Sequence, residues 1–181
     1  MFCSLCDAWL TGSNRTDRAS LPRLWTFRPI LFQKIFQFSM SSSVDIDAPR
    51  SRVWSAIKNA AEWPRWSNVC TDVWDVPASG IGEVGSKFGF RLRMGGRKVP
   101  FNVTVSRVVA DQLIEWRSSK FSITAVRTIS IETQGDGCRV VDTKSFKSPF
   151  LPIGIAYPRW LITRMTNAWL DELKIESERT S

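Results

Sequence analysis

Histidine is absent from the sequence, and tyrosine occurs once, at Tyr157. Without histidine the chain cannot build a Ser-His-Asp or Cys-His nucleophile, and it cannot form a zinc site with a histidine ligand. A general acid or base would have to be a carboxylate, a lysine, a cysteine or this tyrosine. The residue types therefore leave few kinds of catalysis open, and we expect no metal site and no cofactor.

Cysteine is scarce as well, with four in 181 residues. Cys3 and Cys6 form a C-x-x-C motif, but a tetrahedral metal site needs a second pair, which the sequence does not contain. Cys70 and Cys138 stand at apolar positions of predicted strands and resemble small apolar residues, which is consistent with a reducing compartment. We therefore expect a cytoplasmic protein.

Long apolar runs are also missing, so we expect no stable insertion into a membrane. The formal charge is +8, but the lysines and arginines occur singly rather than in a cluster interleaved with exposed aromatic residues. A basic, solvated surface is favoured over a dedicated nucleic-acid site, and we expect no nucleic-acid partner. The pattern leaves the oligomeric state open.

Residues 1–39 differ in composition from the rest of the chain. Their charged residues are mostly basic: Arg15, Arg18, Arg23, Arg28 and Lys34 against Asp7 and Asp17. This composition is typical of a mitochondrial presequence, which would place the protein in mitochondria. The alternative is an extension or a disordered tail, because organised pattern begins directly after Met40. In both cases we expect the folded domain to cover residues 40–181.

One long helix is predicted near the end of the chain, over residues 158–178. Ile162, Met165, Trp169 and Leu173 recur there at three- and four-residue spacing, which gives the helix one broad apolar face. That face must be buried against another element. Most other patterned segments alternate with a period of two, so the partner is a sheet.

The remaining segments predict an α+β fold. A first strand is expected at 42–47, and short helices at 50–59 and 61–67 follow it. Strands are expected at 69–76, 86–94, 99–105, 113–118, 121–133 and 138–147, joined by glycine-rich turns. This order indicates a curved antiparallel sheet wrapped around the long C-terminal helix, with two short helices after the first strand.

The last hairpin places charges on an apolar face. A turn at residues 134–137 pairs Thr133 with Cys138, Ile131 with Val140, Ile129 with Asp142 and Arg127 with Lys144. Arg127, Asp142 and Lys144 then share the inward face with Phe121, Ala125, Ile129 and Phe146. Buried charges are costly unless they are paired. The charges either anchor a ligand in an apolar cavity, form a structural salt bridge, or emerge at the sheet edge through a bulge.

Short motifs in a fixed order carry a resemblance to a known superfamily. They are Val44-x-Ile46-x-Ala48-Pro49, Trp63-Pro64-x-Trp66, Gly82-x-x-Gly85-x-x-Phe88, Leu113-x-x-Trp116, the Gly-Asp-Gly turn before Cys138, and Leu170-x-x-Leu173-Lys174. Residues 40–181 resemble the START-like, Bet v 1-like superfamily, whose SRPBCC or polyketide cyclase/dehydrase domains have the helix-grip fold. Many members carry Glu-x-Phe-x-Gly where this chain has Lys144-Ser145-Phe146-Lys147-Ser148.

The resemblance implies a cavity between the sheet and the last helix that binds a hydrophobic small molecule such as a lipid, sterol, quinone or polyketide. The cavity candidates are Phe88, Phe90, Phe101, Val103, Trp116, Arg127, Ile129, Asp142, Lys144, Met165 and Trp169. One alternative is a cyclase or dehydratase in which Arg127 stabilises an enolate and Asp142 is the acid or base. Another is a chaperone partner or protein-interaction module. We expect binding rather than catalysis.

Overall fold

A seven-stranded antiparallel sheet surrounds one long helix in the computed structural model, which describes residues 36–120, 122–149 and 158–179. The strands are β1 (Phe36–Ile46), β2 (Cys70–Trp74), β3 (Lys87–Met94), β4 (Arg97–Val109), β5 (Leu113–Lys120), β6 (Ile123–Gln134) and β7 (Gly137–Ser148). The helices are α1 (Arg50–Lys58), α2 (Trp63–Trp66) and α3 (Arg159–Glu178), with a 3₁₀ turn at Ala60–Glu62 before α2. The strand order across the sheet is β1-β7-β6-β5-β4-β3-β2.

This architecture confirms the predicted α+β helix-grip fold, with two short helices after the first strand and a long C-terminal helix inside a curved sheet. The predicted cysteine positions in strands are also confirmed for Cys70 and Cys138, which are both buried. The C-x-x-C motif, Phe121, Tyr157 and the segment before residue 36 lie outside the described residues. What we expect of that segment stays a prediction.

The first strand is longer than predicted. Residues 42–47 were the expected strand, but β1 begins at Phe36 and pairs with β7 along its whole length. Phe38 fixes the early half of the strand, because it is buried and its ring stacks on Phe146 with the centroids 4.8 Å apart. The four residues before Met40 therefore belong to the sheet.

The turns set the register of the two hairpins that matter for the site. Gly95 and Gly96 both have positive φ, +54° and +86°, which favours glycine in a two-residue hairpin loop between β3 and β4. Between β6 and β7 the pairing is continuous, and Arg127 lies opposite Lys144 as predicted. The alternative in which a bulge in this hairpin reverses the phase is therefore wrong.

Helix α3 buries one side against the sheet. Ile162, Trp169 and Leu173 of the predicted apolar face are buried, whereas Met165 is only half-buried. Thr166 is also buried on this side, although its hydroxyl is polar. Within the described part of the chain, no helix combines the length and the apolar character needed to cross a bilayer.

Candidate ligand cavity

A cavity of about 100 Å³ lies between the inner face of the sheet and α3, and it is open to solvent on one side. Strands β3 to β7 supply one wall and the first half of α3 supplies the other. The lining residues are Val69, Phe90, Leu92, Met94, Phe101, Val103, Trp116, Ser118, Ala125, Val126, Arg127, Lys144, Phe146, Ile162, Met165, Thr166 and Trp169. Among these, Arg127 and Lys144 carry the charge.

Most of the residues predicted for the cavity line it: Phe90, Phe101, Val103, Trp116, Arg127, Lys144, Met165 and Trp169. The other three lie behind its wall. Phe88 packs edge-on against Trp63 and Trp116 in the core. Ile129 is fully buried, and Asp142 is covered by the two longer charged side chains beside it.

Several lining residues were not among the predicted cavity residues. Leu92 and Met94 continue the alternation of Phe90 along β3, and Ala125 and Phe146 stand on the face that the hairpin register had already turned inward. That pattern was sufficient to identify them. Nothing in the sequence pointed to Thr166, because a single threonine among the apolar positions of a helix does not by itself indicate a polar contact in a cavity.

Arg127 and Asp142 form a bidentate ion pair beneath the cavity. The guanidinium of Arg127 donates from Nε to both carboxylate oxygens, at 3.2 and 3.0 Å, and from Nη2 to Oδ2 at 2.7 Å. Strand β6 supplies the arginine and β7 supplies the carboxylate. The side chain of Asp142 is completely buried and that of Arg127 is 11% exposed. This geometry orients the guanidinium and makes it rigid.

Lys144 adds a second cation to the same carboxylate. Its Nζ donates to Asp142 Oδ2 at 2.8 Å and to Thr166 Oγ1 at 2.8 Å. Thr166 Oγ1 in turn donates to the carbonyl of Ile162 at 2.7 Å. The buried threonine of α3 therefore ties the lysine of β7 to the helix. An ammonium group has three protons, so one remains for a further acceptor.

Two tryptophans enclose the Arg127 guanidinium. Its central carbon lies 4.2 Å from the ring centroid of Trp169 and 5.2 Å from that of Trp116. Both rings are buried, which strengthens the attraction between the cation and the π faces. The arginine is therefore held by α3 and β5 as well as by its carboxylate partner.

The ionisation of the cluster follows from its surroundings. Burial acts to raise the pKa of Asp142, but the charges of Arg127 and Lys144 outweigh burial and hold this pKa below its ordinary value. Burial, together with repulsion from Arg127, lowers the pKa of Lys144 to about 8, although Asp142 opposes that change. At neutral pH the cluster carries two positive charges and one negative charge.

The lowered pKa of Lys144 predicts a specific pH dependence of stability. Above about pH 8 the folded state releases this proton while the unfolded chain still binds it, so the free energy of unfolding rises with pH up to the ordinary lysine value. We expect the free energy of unfolding of the wild type to rise relative to that of Lys144→Met by up to roughly 3 kcal/mol between about pH 8 and the ordinary pKa of lysine. Urea unfolding at several pH values measures it.

Lys147→Met is the matched control for this measurement. Lys147 lies three residues further along β7 but is exposed, so its removal has little effect on the slope. A stability difference between wild type and Lys144→Met that does not change with pH would contradict the assignment.

A curved antiparallel sheet around a C-terminal helix, with an apolar cavity between them, is the helix-grip fold. Residues 37–177 match the family described as "Polyketide cyclase / dehydrase and lipid transport". The chain belongs to this family. Among curated proteins no sequence matches it.

Solved structures share the fold at low sequence identity. Major latex-like protein 151 from Panax ginseng is 8% identical, with a TM-score of 0.67 over 80% of this chain and 99% of that chain. The Zhui aromatase/cyclase from Streptomyces sp. R1128 is 13% identical, with a TM-score of 0.66 over 79% and 94%. Protein CV1439 from Chromobacterium violaceum is 15% identical, with a TM-score of 0.63 over 79% and 99%. At these identities the likeness supports the fold alone.

Proposed function

We propose that the protein binds an amphipathic small molecule whose apolar body lies against the aromatic wall of the cavity and whose acidic end meets Lys144 and Arg127. The observation that carries this proposal is the excess positive charge of the cluster. Asp142 neutralises only one of the two cations, and none of the described residues that line the cavity is acidic. A carboxylate, a phosphate or an enolate oxygen would complete the cluster.

The size of the cavity restricts how such a molecule can lie. About 100 Å³ is less than the roughly 300–1,000 Å³ of a pocket for a drug-sized ligand. A lipid, sterol, quinone or polyketide-like ligand would therefore place its acidic end and part of its apolar body inside, while the rest extends through the open side. Met94 and Met165 line the cavity, and their flexible side chains suit ligands of variable shape.

A pair of ligands that differ only in the acidic group tests the proposal. Dodecanoic acid and dodecanol share one apolar chain, and native mass spectrometry with tryptophan fluorescence reports the binding of each. We expect the wild type to prefer the acid by roughly tenfold or more, as a charge-assisted hydrogen bond implies. Lys144→Met leaves the neutral Arg127–Asp142 pair and is expected to lose most of this preference.

Lys147→Met is again the control, since it removes the same charge from the outer face of the same strand. It should bind both ligands as the wild type does. Retention of neither ligand by the wild type would contradict binding itself. If Lys144→Met and Lys147→Met preferred dodecanoic acid over dodecanol to the same extent, the role of Lys144 would be contradicted. The binding of an apolar chain in the cavity would still stand.

Catalysis of the cyclase or dehydratase kind is the second candidate, and Arg127 favours it because a guanidinium at the cavity wall can stabilise an enolate. The carboxylate of Asp142 does not suit the role of acid or base, because it is fully buried and engaged by both cations. A protein-interaction role has less support. The large apolar side chains that are exposed in the described part stand on separate segments: Val84, Val109, Trp160 and Ile175.

A further inference from the structure

Several segments meet at one end of the sheet. The first part of β4, which follows the β3–β4 turn, lies beside the end of β5, because Lys120 Nζ donates to the carbonyl of Pro100 at 3.4 Å. The start of β1 pairs with the end of β7. The first turn of α3 reaches the same end, since Arg159 lies 4.7 Å from the ring of Phe38 and Ile162 packs in the same buried cluster. We call this region the basic end.

The basic end is cationic without an acidic counterpart. The stretches that form it contain no aspartate or glutamate: 36–44, 92–104, 117–120, 122–131, 143–149 and 158–170. Their exposed basic residues are Arg93, Arg97, Lys98, Arg117, Lys147, Arg159 and Arg164. Arg117 pairs with Glu115, deeper in the sheet. The other six exposed side chains have no acidic partner in any ion pair of the described residues.

The opposite end of the sheet carries acidic residues. Asp45, Asp111, Glu132 and Asp136 stand at or beside the turns that close the strands there. The charges of the described residues are therefore distributed unevenly, and a negatively charged surface is attracted to the basic end. This separation cannot be seen in the sequence, where the lysines and arginines look dispersed.

An exposed tryptophan distinguishes lipid from the other negatively charged partners. Trp160, in the first turn of α3, is 66% exposed and stands between Arg159 and Arg164. Tryptophan flanked by arginine is typical of the interface between water and a bilayer, where the ring enters the headgroup region and the cations meet lipid phosphates. The cavity lies in the same half of the molecule, because Met94 and Phe101 line it.

We infer that the basic end docks on the surface of a bilayer containing anionic lipids, with Trp160 in the headgroup region and the β3–β4 turn against the lipid phosphates. This is peripheral association and needs no spanning helix. It brings the cavity next to the membrane. The inference does not depend on the proposed ligand, because the docking residues lie outside the cavity.

Vesicle flotation of the full chain tests this inference. We expect binding to phosphatidylcholine vesicles with about 30 mol% phosphatidylserine, little binding to phosphatidylcholine alone, and release when salt is raised to about 0.5 M. The double variant Arg97→Gln/Lys98→Gln should bind at least about tenfold more weakly. Trp160→Ala should weaken binding severalfold even at low salt.

The matched control is Arg52→Gln/Arg107→Gln. Both of its residues are exposed and lie towards the acidic end, so the net charge changes equally while vesicle binding stays near the wild-type level. Equal losses in the two double variants would overturn the inference, as would equal binding to neutral and anionic vesicles. Binding to a DNA duplex without binding to vesicles would assign the basic end to nucleic acid instead.

Discussion

Replacing Asp142 with asparagine is expected to lower the free energy of unfolding by about 3–5 kcal/mol. Asparagine has nearly the same shape, so packing is kept and the charge alone changes. Arg127 and Lys144, whose side chains are mostly buried, would then have no counterion, because they lose the carboxylate that lies 2.7 and 2.8 Å from their nitrogens. Domains of this size have total stabilities of roughly 5–15 kcal/mol, so the loss is large.

Asp72→Asn provides the control for this prediction. It removes a carboxylate from the Arg91–Asp72 ion pair, which has a similar distance, 2.9 Å, but side chains that are 40% and 44% exposed. Solvent screens that pair, and the expected loss is below about 1 kcal/mol. Urea unfolding at neutral pH compares the two variants. Equal losses would show that the buried cluster contributes no more than a surface pair.

The cluster of Arg127, Asp142 and Lys144 also predicts that acid lowers the stability of the protein. Because the pKa of Asp142 is lower in the folded state, its contribution to stability is complete above about pH 4, the ordinary value. It is lost as the pH falls through the folded-state pKa. The difference in stability between wild type and Asp142→Asn should therefore shrink in acid.

Much of the fold could be predicted because period-two alternation and turn chemistry agree along the chain. The turn before β7 fixed the register of the last hairpin, and the register placed Arg127 and Lys144 on the inner face. The early half of β1 was missed even though Phe36, Phe38 and Met40 alternate with polar residues. These residues were grouped with the basic segment before them, which has no regular pattern, and their alternation was therefore not recognised.

The cluster itself could be predicted only in part. Alternation assigns a residue to a face, but it does not say how far a side chain extends from the strand. Aspartate is short, so Asp142 stays near the backbone while the longer Arg127 and Lys144 extend over it and reach the cavity. The contact from Lys144 to Thr166 depends on where α3 crosses the sheet. The place where α3 crosses the sheet is set by how the folded elements pack, so the sequence pattern does not predict it.

Replacing Trp63 with alanine is expected to cost about 3–5 kcal/mol, the usual range for a large buried aromatic side chain. Trp63 is 1% exposed and lies at the centre of an aromatic cluster, with ring centroids within about 6 Å of Phe88, Phe90, Trp116 and Trp169. Its Nε1 also donates to the carbonyl of Ile57 at 3.2 Å. Alanine would leave a cavity and an unpaired carbonyl.

The loss should extend to the ligand cavity, because Trp63 packs against the two tryptophans that enclose Arg127. Trp63→Phe is the variant that keeps the prediction testable if alanine prevents folding. It should fold with a smaller loss and a reduced preference for dodecanoic acid over dodecanol. Trp160→Ala is the control, since that ring is 66% exposed and its removal should change stability by no more than about 0.5 kcal/mol. Equal losses in Trp63→Ala and Trp160→Ala would refute the central packing role of Trp63.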